Sequence, residues 1–246
     1  EPAPHWSRAL GGIWRLTWRR AVAPASLGLL GGLAGLLGLL TYTGVKPGSA
    51  ENFHSWSVSF WICFVVPVFA FLSTSGLIQD DMTPATVDYV FTRSVRRWVF
   101  VGLRFLSHQG CLQLQCLAAL GVLGVIGMVR HVPGLGGMLA GLAGVQLLAV
   151  LAFGALGLVL GVLTARPAVA GLIYAGVVEL GVGNIPTSVN RLSMLHQVRV
   201  LAPGAEEGES AAVAVAVLLV FSLLAIVLAA SVFSFRETAG AKPRDT

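Results

Sequence analysis

A chain of 246 residues that is 56% hydrophobic and 11% charged is short of charge, because soluble domains carry roughly 25% charged residues. That balance excludes a water-soluble domain, and the net charge of +5 points to membrane orientation rather than to nucleic acid. The expected class is all-α: a polytopic membrane protein forming a single transmembrane domain over residues 1–246, in the cell's inner (plasma) membrane.

Taken in chain order, residues 5–20 predict an interfacial helix. Trp6, Leu10, Ile13, Trp14, Thr17 and Trp18 share one face at steps of three and four, and Arg8, Arg15 and Arg19 lie on another. Aromatic anchors beside arginines suit a helix lying at the headgroups. Six apolar runs follow, near 21–42, 57–78, 99–129, 135–164, 168–183 and 211–235. Each is long enough at about 1.5 Å per residue to cross a ~30 Å core, the fifth only just. The first run has no convincing cleavage site, so no cleavable signal peptide is expected. With the N-terminus inside, twelve of the 16 basic residues fall on the inner side, and four (Lys46, Arg130, Arg191 and Arg199) on the outer. Both termini are then cytoplasmic, and Thr43–Trp56, Arg130–Gly134 and Asn184–Ser210 face outward.

Glycines four apart, Gly28/Gly32, Gly31/Gly35, Gly137/Gly141 and Gly157/Gly161, predict closely packed helices. The stretch "QDDMTPATVDYVFTRSVRRW" over residues 79–98 interrupts the oily pattern. Thr83 can cap a helix that opens on Pro84. Asp80 and Asp81 then sit at its positive end, and Arg93, Arg96 and Arg97 near its negative end. Val87, Val90 and Phe91 give it an apolar stripe, so a short amphipathic helix at the cytoplasmic face is expected.

Polar residues inside the spans are the candidates for function. Arg104, His108, Gln109, Gln113 and Gln115 open the third run. They serve either interhelical hydrogen bonds or contact with a substrate. Glu179 is the acid well inside a span. It either lines a path or snorkels to water and pairs with Arg191 or Arg199. Residues 184–210 mix Arg191, His196 and Arg199 with Glu206, Glu207 and Glu209. That segment could form an outer gate, dock an extracytoplasmic accessory protein, or be a solvated loop. His108, Gln109, Gln113, Glu179 and Arg191 form the candidate translocation path or gate. Cys63, Cys111 and Cys116 lie in apolar runs without metal spacing, and the four methionines are scattered. No phosphate-binding glycine loop, metallohydrolase motif or nucleophile elbow occurs, so no catalytic residue, metal or bound cofactor is expected of this chain.

The segment "GLIQDDMTPATVDYVFTRSVRRWVFVGLRFL" resembles the first cytoplasmic loop of ABC-2-type permeases, the membrane subunits of a class of ATP-binding-cassette exporters. The family pattern runs from an acid to Gly-Thr, an aromatic or aliphatic pair, a Ser/Thr-Arg-Pro and a further Arg, ending with a Lys at the third span. Here Asp81, Thr86, Tyr89 with Val90, Thr92 with Arg93, Arg97 and Arg104 take those places, while Ala85 stands for the glycine and Ser94 for the proline. "NIPTSVNRLSMLHQVRVL" is similar to the short external helices before the family's last span. The resemblance implies a coupling helix over 79–98 that docks on a separate ATPase subunit through Asp81, Thr86, Asp88, Tyr89, Phe91, Arg93 and Arg97. It further implies a second permease subunit, and ATP and Mg²⁺ held by the partner ATPase. A gradient-driven transporter or channel, and a membrane scaffold, are the alternatives.

Overall fold

The structure is a computed structural model that describes residues 11–12, 14–15, 17–19, 24–78, 97–181, 190–191, 193–203 and 210–236. Its described residues form helices and no strand. In chain order these are α1 (Pro24–Gly44), α2 (Ala50–Ser75), α3 (Arg97–Val129) and α4 (Leu135–Leu163). They are followed by α5 (Pro167–Tyr174, continued by a π-helical segment Ala175–Gly181), α6 (Met194–Leu201) and α7 (Ala211–Arg236). The described residues between 11 and 19 are also helical.

Four of these helices, α2, α3, α4 and α7, are long and apolar enough to cross a membrane. The protein is therefore a membrane-embedded helical bundle. Helices are the natural solution there, because every backbone polar group must be satisfied within the segment itself. Burial orders the bundle. In its most apolar stretch α4 is 78% buried, against 22% for α7. The first figure makes α4 the central helix, and the second leaves most of α7 facing outward.

The second apolar run begins earlier than the sequence predicts. The polar residues Lys46, Glu51, Asn52 and His54 read as an outer loop over Thr43–Trp56, but α1 runs to Gly44 and α2 starts at Ala50. Ser49 caps α2 by accepting a hydrogen bond from the Asn52 amide at 3.2 Å, and Glu51 sits in the first turn. Both features satisfy the helix's positive end. Asn52 Oδ1 accepts from the Lys46 amide at 2.7 Å, and Phe53 is fully buried. Val45, Phe53 and Val132 pack together here. Arg130 closes this end of the bundle by stacking 3.8 Å from the Tyr42 ring and donating to the Tyr42 carbonyl.

The opposite end is held by a second apolar cluster. It gathers Leu77 and Ile78 after α2, Val101 and Phe105 of α3, Val162 of α4 and Phe233 of α7. Residues 79–96, which carry most of the predicted cytoplasmic helix, lie outside the described residues. The larger core between the two ends joins α2, α3 and α4 with Met194 and Val198 of α6.

Among the described residues, α2 and α4 approach each other closely. A Cβ placed on Gly157 would lie 2.6 Å from the Phe71 carbonyl oxygen, and one on Gly161 would meet the Ser75 carbonyl. The Gly157/Gly161 pair thus lets two backbones touch, as its spacing predicts. Among the described residues, nothing lies within 4 Å of the Cβ positions added to the Gly28/Gly32 and Gly31/Gly35 pairs.

Candidate functional site: two buried polar clusters

α3 has 33 residues, about 50 Å at ~1.5 Å per residue, which exceeds a ~30 Å hydrocarbon core. Its polar first half enters the bundle with partners on several helices. Buried Arg104 donates to Thr17 Oγ1 at 2.6 Å. His108 Nε2 and Ser73 Oγ are 3.3 Å apart. Gln113 Nε2 donates to the Leu147 carbonyl at 2.9 Å. Gln109 is buried one step along the helix from His108, and neither amide atom finds a partner among the described residues. The Thr74 hydroxyl is in the same condition. Both flank Gly154, whose added Cβ would lie 2.8 Å from Gln109 Oε1 and 3.4 Å from Thr74 Oγ1. Buried polar atoms of this kind are costly in an apolar medium, so this row is the polar interior of the bundle.

Further along α4, Gln146 is completely buried and its Oε1 accepts from Trp61 Nε1 at 2.8 Å. Trp61 belongs to the π-helical stretch Ser57–Val65 of α2, whose buried residues are Ser57, Trp61 and Ile62. Positions four and five apart share a face when hydrogen bonds run from i to i+5. Trp61→Phe should leave the Gln146 oxygen unpaired and cost about 1–3 kcal/mol. The double variant Trp61→Phe/Gln146→Leu should cost less than the two single losses added together. Unfolding of the four proteins in detergent, analysed as a double-mutant cycle, checks this.

The second cluster surrounds Glu179. Its carboxylate is buried and accepts three hydrogen bonds: from Tyr174 Oη at 2.7 Å, Ser193 Oγ at 2.5 Å and the Leu195 amide at 2.9 Å. Ser193 is the N-cap of α6 and also accepts from the His196 amide at 3.1 Å. Glu179 therefore sits at the positive end of α6, where an anion is favoured. Gln197 Nε2 donates to the Arg191 carbonyl at 2.7 Å and steadies the same turn. The π-helical segment explains how Tyr174 and Glu179 meet. Five residues apart, they would point about 140° from each other on a 3.6-residue helix, but i to i+5 winding brings them onto one side.

Of the predicted path residues, Gln109 and Gln113 face α4 and His108 faces Ser73 of α2, while Glu179 and Arg191 belong to the α5–α6 cluster. The three donors to Glu179 are Tyr174, Ser193 and Leu195, whereas His108 and Gln113 of α3 bond to Ser73 and the Leu147 carbonyl. Asp81, Thr86, Asp88, Tyr89, Phe91 and Arg93 lie outside the described residues, and Arg97 is described as the first residue of α3. The sequence reading missed Tyr174, Ser193, Thr74 and Gln146. Ser193 had a usable signal, since a serine just before an apolar-periodic run marks an N-cap. Among the described residues, no three His, Cys, Asp or Glu side chains form a metal-binding group. Compared with known proteins, the chain matches no family model and finds no match among curated proteins.

Proposed function

We propose that this chain is the permease subunit of an ABC-2-type transporter. In this reading it moves a substrate across the membrane using ATP hydrolysed by a separate nucleotide-binding subunit. The observation that supports the reading is that α2 ends and α3 begins at the same end of the bundle. Residues 79–96 connect α2 to α3 at the end where Ile78, Val101 and Phe233 pack, and there the last helix of the bundle also ends. A loop of that composition at that end is where a coupling helix would meet an ATPase. α1, with 21 residues, and α5 would complete six crossings. Both termini would be cytoplasmic, as the distribution of basic residues favours.

Closure of the ATPases on ATP would push residues 79–98 and rock the helices as packed units, a recognised form of switching. Asp81, Thr86, Asp88, Tyr89, Phe91, Arg93 and Arg97 would make the docking contacts. The outward-facing α7 supports a second copy as partner. The polar row at His108, Gln109 and Gln113 is the candidate for substrate contact, and an amphiphilic cargo fits its setting among apolar helices.

Purification of the tagged full chain from its native membrane should bring down an ATP-binding subunit in stoichiometric amount. Arg93→Glu should cut that recovery at least about ten-fold, the equivalent of losing one charge-assisted contact worth roughly 1.5–3 kcal/mol. Recovery of the chain without any ATPase, together with proton-coupled uptake in vesicles, would instead favour a gradient-driven transporter. The unpartnered Gln109 and Thr74 groups would then line the path.

A further inference from the structure

A groove of about 740 Å³ runs between α1, α2 and α3. Leu37, Trp61 and Cys116 form its buried floor, and Leu36, Phe64 and Leu114 its exposed rim. This volume lies within the roughly 300–1,000 Å³ of small-molecule sites. Its wall on α3 runs from Cys111 to Val122, about 17 Å at ~1.5 Å per residue, close to half of a ~30 Å core. The groove is thus as deep as one leaflet's hydrocarbon, and it opens sideways from a bundle that lies in the membrane.

The segment that closes one end of the groove carries two arginines. Trp18 contributes to its lining and stacks on Trp14, with ring centroids 6.3 Å apart. This short segment is fixed on α3 at two points. Thr17 accepts from Arg104, and the Trp14 ring lies against Gly110, 2.6 Å from where a Cβ would be. Arg15 and Arg19 are exposed on the same segment. The described carboxylates are elsewhere. Glu51 is in the first turn of α2, and Glu179 is enclosed by its own donors.

We infer that this groove holds an acyl chain of an anionic phospholipid, with the lipid's phosphate at Arg15 and Arg19. The hydrocarbon lining accepts the tail, tryptophans suit the interface, and the arginines select the headgroup's charge. The site stands independently of the transport reading. A bound lipid would tie the N-terminal segment, α1, α2 and α3 into one unit.

The test uses the full chain in phosphatidylcholine vesicles with increasing fractions of brominated phosphatidylglycerol or brominated phosphatidylcholine. The difference in tryptophan quenching between the native chain and Trp61→Phe reports on the groove floor. Brominated phosphatidylglycerol should quench Trp61 at a lower mole fraction than brominated phosphatidylcholine. Arg15→Gln and Arg19→Gln should each lower that preference about five-fold, the equivalent of the ~1 kcal/mol that a basic residue contributes beside anionic lipid. Ala119→Phe, which fills the groove, should abolish the Trp61 component, and Ala34→Leu provides a milder filling should the first variant not fold. Equal quenching by the two lipids, or a preference unchanged by both arginine variants, would overturn the inference. So would absence of quenching with Leu114→Cys cross-linking between copies, because a second chain would then fill the groove.

Discussion

Gly161→Val should leave little folded protein after extraction into detergent, and Gly157→Ala should lower stability by about 1–3 kcal/mol, the usual cost of overpacking a tight contact. The reason is that the atoms facing these glycines are backbone. Any Cβ on Gly161 runs into the Ser75 carbonyl, and the Ser75 Cα would be 3.3 Å away. A flexible side chain could turn aside, but a helix backbone can yield only by moving the whole of α2 away from α4. That movement would open the α2–α4 core around Val66, Ala70, Ala149 and Phe153. It would also separate Thr74 from Gly154 and disturb the Gln109 cluster. The control is Gly32→Val on α1, which has nothing within 4 Å and should change stability by no more than about 0.5 kcal/mol. Thermal unfolding of the three variants in one detergent reads the difference. An equal loss for Gly32→Val and Gly161→Val would overturn close approach to the Ser75 carbonyl as the reason for Gly161, because helix propensity alone favours valine over glycine at both sites.

These two sets of glycines mark the limit of what the chain alone discloses. Their spacing is identical, and nothing in it distinguishes Gly157/Gly161, packed on a neighbouring backbone, from Gly28/Gly32, which faces open space. Spacing defines a face, and only the arrangement of helices supplies what lies opposite. The long apolar runs were legible because length and hydropathy are local properties, so α3, α4 and α7 begin and end within a few residues of their expected limits. The start of α2 was not, because a cluster of Lys, Glu, Asn and His looks like a loop even when Ser49 caps a helix and the Asn52 side chain holds the turn before it. On α3 the four-residue step from Gln109 to Gln113 was enough to place both on one face. That Gln113 would reach the Leu147 carbonyl, and Gln109 lie over Gly154, depends on contacts more than thirty residues away.

Glu179 is the sharper case, because its sequence context suggested either a functional acid or a partner for an arginine. The structure surrounds its carboxylate with Tyr174, Ser193 and the Leu195 amide. This arrangement joins α5 to α6 through one side chain. Glu179→Ala would strand three donors, the buried Ser193 hydroxyl and Leu195 amide and the half-buried Tyr174 hydroxyl, each worth up to about 1–3 kcal/mol when unpaired. The expected loss is therefore about 3 kcal/mol or more, concentrated on α6. Hydrogen exchange should show residues 195–201 losing protection, while α4 keeps its own. Glu179→Gln should be milder, at about 1–2 kcal/mol, because its remaining oxygen can still accept from Ser193 and Leu195. Its amide can then donate to a Tyr174 hydroxyl turned to accept. Tyr174→Phe should resemble the glutamine variant, since it removes one donor and leaves the bonds to α6 in place. Unchanged exchange at 195–201 in Glu179→Ala would sink the anchoring role. A Glu179→Gln protein that keeps its exchange pattern yet loses the transport activity proposed above would locate a second role in the negative charge itself, at the point where α5 leaves the ordinary helical winding.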